Sequence, residues 1–81
     1  MALLTTIETE RWIIKLFDDG SRFIRPRPDI YGILVTGTEA KEFSAMLDAC
    51  ANIAHVDREV AAYYLTLMDV ADDTRFVRPL N

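Results

Sequence analysis

The chain has 81 residues, with 9 Lys and Arg against 13 Asp and Glu, 51% hydrophobic residues and one cysteine. This length predicts a single small domain over residues 1–81, and the hydrophobic share excludes an intrinsically disordered chain. No apolar run approaches the roughly 20 residues that cross a bilayer, the first residues lack the basic and apolar regions of a signal peptide, and one cysteine cannot form an internal disulfide. We therefore expect a cytoplasmic protein with no membrane span.

Two strands joined by a tight turn are predicted first. Residues 10–17 are rich in aromatic and β-branched types, which suit a strand. Asp19-Gly20 supplies the positive φ of a two-residue hairpin turn, so residues 22–25 should return antiparallel.

The length of that turn decides which side chains are buried. A two-residue loop sets Leu16 opposite Phe23 and Ile14 opposite Arg25. A three-residue loop would exchange Phe23 and Ile24 between the two faces, because side chains alternate with a period of two. With the two-residue loop, the core face carries Trp12, Ile14, Leu16 and Phe23.

A third strand is predicted over residues 30–36, a continuous apolar run that should be covered on both faces. Pro26 and Pro28 precede it and end the second strand, because proline donates no backbone hydrogen bond. Gly32 within the run indicates a bulge or a close approach of another backbone segment.

Two helices should follow. Apolar residues at helical spacing predict the first over residues 39–54, with Thr38 as its N-cap. A joint at residues 55–57 separates it from a second helix over residues 58–71, which Asp57 should cap. Helices joined this closely form an antiparallel hairpin.

The apolar residues of the second helix cover more of its circumference than packing on one side requires. Either this helix is central or part of it meets another chain. A two-fold interface between copies would use Tyr63, Tyr64, Leu65 and Val70.

The C-terminal residues repeat an earlier pattern. Two aspartates, Arg-Phe, an aliphatic residue and Arg-Pro occur in that order at residues 72–79, as they do at residues 18–26. The repeat predicts a further strand at residues 75–78. The expected fold is α+β, with a mainly antiparallel sheet of three strands, or four with this one, packed on one face by the helical hairpin in the order β-β-β-α-α(-β).

No catalytic or metal-binding constellation is present in the sequence. His55, the only histidine, falls in the predicted interhelical joint, where we assign it a capping or structural role. Cys50 lies on the apolar stripe of the first helix, where a buried small side chain is expected. One His and one Cys exclude a zinc site, and no carboxylates match a calcium loop. We expect no enzyme activity, no metal and no cofactor.

The charges are unevenly distributed along the chain. Residues 1–38 hold five acids and five bases, whereas residues 39–73 hold eight acids and two bases. A surface of this sign repels nucleic acid and suits a basic protein partner. The predicted partner-binding acids are Glu39, Glu42, Asp48, Glu59, Asp69, Asp72 and Asp73.

In size, acidity and lack of catalytic motifs, the chain resembles the small phage-encoded anti-CRISPR proteins. The resemblance implies a non-catalytic inhibitor that covers a basic nucleic-acid-binding surface of a CRISPR-Cas complex, in the host cytoplasm of a phage-infected bacterium. The formal net charge of −4 is mild for a DNA mimic, so plain steric blocking stays open as the mode of action.

Two other functions remain open. The first is a small nucleic-acid-binding regulator, in which basic strands with interleaved aromatic residues hold phosphates and stack on bases. Its binding residues would be Arg22, Arg25, Arg27, Arg75 and Arg78. The second is a self-associating structural or antitoxin-like protein that uses the apolar side of the second helix.

Overall fold

The predicted α+β class is confirmed by the computed structural model, which describes residues 1–70 and 76–78. A five-stranded antiparallel sheet is covered on one face by two helices. In chain order the elements are β1 (Leu3–Glu8), β2 (Trp12–Phe17), β3 (Arg22–Pro26), β4 (Gly32–Val35), α1 (Gly37–Asp48), α2 (Ile53–Val70) and β5 (Phe76–Val77).

The strands lie side by side in the order β1-β2-β3-β4-β5. The expected C-terminal strand therefore joins the sheet as β5, next to β4. The strand β1 was not predicted, although its Leu-Leu-Thr-Thr-Ile sequence has strand-forming character. It completes the sheet by pairing antiparallel with β2.

The predicted two-residue hairpin loop is wrong. Leu16 pairs with Arg22 and Ile14 with Ile24, which leaves residues 18–20 as a three-residue loop with Gly20 at φ 90°. Asp19 stabilises this loop, because its carboxylate accepts hydrogen bonds from the Ser21 amide at 2.9 Å and the Ser21 hydroxyl at 2.5 Å. The sequence-based register did not include this side-chain contact.

The shift of one residue changes the core. Ile24 lies on the core face, at the place predicted for Phe23. Phe23 itself is fully buried on the opposite face of the sheet. Of the two alternatives for Gly32, a bulge or a close approach, the structure shows the close approach: a Cβ there would collide with the Ile24 carbonyl oxygen and lie 2.7 Å from Phe23 Cζ. Leu16 is half-buried at the edge of the core.

The core lies between the sheet and the helices. Its sheet side is formed by alternate residues of β2, β3 and β4, and its helical side by apolar residues three and four positions apart. The buried cluster consists of Trp12, Ile14, Ile24, Ile33, Val35, Ala40, Phe43, Val56, Val60, Tyr64 and Leu67.

The helix boundaries differ from those predicted. The joint lies at residues 49–52, and residues 55–57 belong to the first turn of α2. Asn52 caps that turn, since its side-chain oxygen accepts from the His55 amide at 2.9 Å, while His55 Nδ1 accepts from the Ala51 amide at 3.0 Å. Thr36, not Thr38, is the N-cap of α1. None of the described helices is long and apolar enough to be a membrane span.

Candidate docking site

An apolar groove with a volume of about 660 Å³ lies between α2, the loop from β3 to β4 and β5. Its volume is in the range of sites that hold ligands or partner side chains. The side chains that form it include Trp12, Ile30, Tyr31, Leu65, Met68 and Phe76.

The groove is bordered by exposed apolar side chains. Nine large hydrophobic residues are exposed among residues 1–70 and 76–78, and four of them border this groove. A contiguous patch of this kind marks an interaction surface more strongly than scattered exposed residues do. The four are Ile30 at 59% exposure, Tyr31 at 42%, Leu65 at 65% and Met68 at 47%.

The loop that carries Ile30 and Tyr31 is held by Arg25. Its Nη1 donates to the Asp29 carbonyl oxygen at 2.7 Å and to the Arg27 carbonyl oxygen at 3.2 Å. Pro26 and Pro28 restrict the same segment, so this wall of the groove is ordered by local chemistry.

Two aromatic rings lie at the base of the groove. Trp12 and Tyr64 are buried, with ring centroids 4.9 Å apart at an interplanar angle of 52°. Burial raises the pKa of the Tyr64 phenol, and the nearby charge of Asp29 raises it further. The phenol therefore stays neutral at physiological pH, and the groove is apolar with one carboxylate at its wall.

The described members of the predicted acidic set are divided between the two helices and differ in exposure. Glu42 and Asp48 are exposed on α1, and Asp69 is exposed near the end of α2. Glu59 is half-buried, with its Oε1 3.4 Å from His55 Nε2. Glu39 is half-buried in the first turn of α1. Asp72 and Asp73 lie outside the described residues.

One acid of α2 has a role that the sequence did not reveal. Asp57, predicted to cap the helix, is buried and accepts from the Thr9 hydroxyl at 2.6 Å, the Arg11 amide at 3.0 Å and Arg11 Nε at 2.7 Å. Arg11 Nη2 completes an ion pair at 2.6 Å. The Thr9 hydroxyl lowers the pKa of Asp57 most, with a further contribution from Arg11, although burial opposes both. This cluster ties the turn between β1 and β2 to α2.

The predicted basic residues donate hydrogen bonds within the molecule. Arg22 donates to Ser44 Oγ and to the carbonyl oxygens of Phe17 and Ser21. Arg27 donates to the Thr9 carbonyl oxygen, and Arg78 lies over the Tyr31 ring at 5.7 Å. Arg75 lies outside the described residues.

The predicted self-association residues divide into two groups. Tyr64 is buried at the base of the groove, and Tyr63 is half-buried against Phe43 with ring centroids 5.0 Å apart. Leu65 and Val70 are exposed at 65% and 78%.

The two residues considered for catalysis have structural contacts. His55 Nδ1 accepts from the Ala51 amide in the joint before α2, and Cys50 is half-buried with its Sγ donating to the Met46 carbonyl oxygen at 3.3 Å. Within the part of the chain that the structure describes, no three metal-ligating side chains come together.

Comparisons of the chain with protein-family models, with curated proteins and with solved structures found no match.

Proposed function

We propose that this chain is a non-catalytic protein-binding domain that docks on a basic partner surface through the groove beside α2. The observation that supports this most is the clustering of four exposed hydrophobic side chains around one apolar groove. Protein interfaces have such an apolar centre, which excludes water and provides most of the binding energy.

The charge of the molecule favours a basic partner. Asp29 lines the groove, and the exposed carboxylates of Glu42, Asp48 and Asp69 add negative charge on the helices. Negative charge on the molecule attracts a surface with lysines and arginines, which raises the association rate. The formal net charge of −4 acts in the same direction.

Inhibition is the mode of action that follows from this partner. Basic protein surfaces bind nucleic acid mainly through their positive charges. A small acidic domain docked on such a surface would block it sterically. The narrower proposal is an anti-CRISPR inhibitor that covers the nucleic-acid surface of a CRISPR-Cas complex, and it rests on the resemblance in size and acidity.

The experiment measures the binding of duplex DNA to a panel of purified CRISPR-Cas effector complexes and other nucleic-acid-binding proteins, with and without this protein. We expect the protein to displace DNA from at least one panel member. Met68→Asp should weaken its binding about 30-fold, the effect of losing an apolar anchor of about 2 kcal/mol.

Ile53→Asp is the matched control, because Ile53 is 52% exposed, similar to Met68, and does not line the groove. It should bind like the wild type. Equal loss in both variants, or no binding to any panel member, would contradict the proposal.

A further inference from the structure

The edge strand β1 presents unpaired backbone groups on one side. Among residues 1–70 and 76–78 its strand neighbour is β2 alone, because it is the first strand in the order of the sheet. Five of its six residues are exposed, including Leu3 at 40% and Leu4 at 66%. Along its outer side, about half of the backbone N–H and C=O groups point away from β2, where another strand can bind them.

Both ends of β1 are held in place. At the start, the Ala2 amide donates to Asp18 Oδ1 at 2.8 Å, and the Asp18 amide donates to the Ala2 carbonyl oxygen at 2.9 Å. After its end, Thr9 donates to buried Asp57. The strand is therefore ordered before it meets a partner, which lowers the entropic cost of pairing.

The features that usually protect an edge strand are largely absent. Natural edge strands carry lysines, prolines or bulges that prevent pairing with another chain. No Lys or Pro occurs in β1, and its one irregularity lies between Leu3 and Thr5. From Thr5 to Glu8 the strand is regular, with high strand-forming propensity.

We propose that β1 pairs antiparallel with β1 of a second copy of this chain, joining two five-stranded sheets into one. Glu8 is the only charged residue of the strand and lies at its end. Antiparallel pairing centred on Thr5 places Thr5 opposite Thr5 and each Glu8 opposite the uncharged Ala2 of the other chain, so no like charges face each other.

The distribution of charge favours a second copy over the basic partner of the groove. Glu8, at the end of β1, is the one acid that this strand presents to a partner, so the strand itself holds little negative charge that would bind a lysine-rich surface. Threonine beside threonine and leucine beside aliphatic side chains are favourable cross-strand pairs. The two-fold contact is closed, so it produces a dimer rather than a filament.

The test is sedimentation velocity over increasing protein concentration. The wild-type mass should rise from the chain mass of 9.2 kDa towards twice that value. The double variant Leu4→Lys with Thr6→Lys should stay at the chain mass, because edge lysines oppose strand pairing. The matched control Leu65→Lys should dimerise like the wild type, since Leu65 is 65% exposed, close to Leu4 at 66%, and lies on α2.

The position of the contact is checked by nuclear Overhauser effects between labelled and unlabelled copies. Contacts between β1 residues of the two chains are expected, and circular dichroism should show that the lysine variants stay folded. A single-chain mass at all concentrations would overturn the proposal. A dimer that is lost in Leu65→Lys but kept in the β1 variant would also overturn it, by placing the interface on α2. The groove proposal is tested separately, because no β1 residue lines the groove.

Discussion

The basic side chains of the sheet half and the acidic side chains of the helical half are used in different ways. Three arginines of the sheet half donate hydrogen bonds inside the molecule. Arg22 donates in the turn after β2, Arg25 in the loop after β3, and Arg78 beside β5. On the helices, in contrast, three exposed carboxylates have no hydrogen bond or ion pair within residues 1–70 and 76–78: Glu42, Asp48 and Asp69.

This difference shows that a count of charges does not identify the charges that serve a partner. An arginine that closes a turn is held in one position, and its loss costs stability. An exposed carboxylate without a partner can be replaced at little cost. Variants of the two groups should therefore separate folding from binding.

The largest effect on stability is expected at Asp57, an acid of α2 that, unlike the exposed helical acids, is held by hydrogen bonds inside the molecule. Asp57→Ala leaves Thr9 and Arg11 without their acceptor and should lower the free energy of unfolding by about 2–3 kcal/mol. Urea denaturation measures this loss. Asp48→Ala, an exposed acid of α1, is the control and should change stability by less than about 0.5 kcal/mol. Similar losses in both variants would contradict the structural role of Asp57.

The same carboxylate should make stability depend on pH. Hydrogen bonds from Thr9 and Arg11 lower the pKa of Asp57 in the folded state below its ordinary value of 3.8. Its contribution is therefore present above pH 3.8 and is lost as the pH falls through the folded pKa. Asp19 adds to the same trend, because the Ser21 hydroxyl lowers its pKa. Urea midpoints measured from pH 6 to pH 2 should fall less steeply for Asp57→Asn than for the wild type, and parallel curves would refute this.

A moderate effect is expected for the sheet arginines. Arg22→Ala removes bonds to Ser44 Oγ and to two carbonyl oxygens and should destabilise the fold by about 1 kcal/mol. Lys41→Ala on exposed α1 is the control and should have little effect on thermal unfolding. Fluorescence polarisation with a labelled single-stranded oligonucleotide checks the alternative function. If Arg22→Ala abolished oligonucleotide binding and left stability unchanged, the arginines would belong to a binding surface.

The smallest effect on stability is expected for Glu42, Asp48 and Asp69, the helical acids that have no partner among residues 1–70 and 76–78. Glu42→Lys and Asp48→Lys should each change the free energy of unfolding by less than about 0.5 kcal/mol. Asp69→Lys should stabilise slightly, because a cation interacts favourably with the negative end of α2. Urea denaturation reports all three. A large loss in any of them would show that the acid has an internal partner and would remove the contrast with the arginines.

Several features were predictable because they depend on neighbours in sequence. The strand composition of β2, the positive φ of Gly20 and the close approach at Gly32 follow from residue types and spacing. The hairpin register was not predictable in this way, because a hydrogen-bonded Asp19 favoured one additional loop residue. That single residue exchanged Phe23 and Ile24 between the faces of the sheet. The helix joint was misplaced because Asn52 and Asp57 are both good capping residues, and only packing decides between them.

The groove was likewise only partly predictable from the sequence. The sequence indicated a second helix with too many apolar residues, and the excess at Leu65 and Met68 does face outwards. It did not indicate that Ile30 and Tyr31, from a loop more than thirty positions earlier, would lie beside them. The apolar run at residues 30–36 predicted both residues inside a covered third strand, and this is wrong, because β4 begins at Gly32 and both side chains are exposed.

By itself, the sequence determined the α+β class, the strand and helix types and the acidic character of the helices, because these depend on local composition and period. The tertiary structure decided which charges are paired and which apolar side chains are exposed. Thr9 and Asp57 are 48 positions apart in the chain, yet their hydrogen bond joins the sheet to α2. A contact at that separation exists only after the strands and helices have packed, so no local pattern in the sequence could have predicted it.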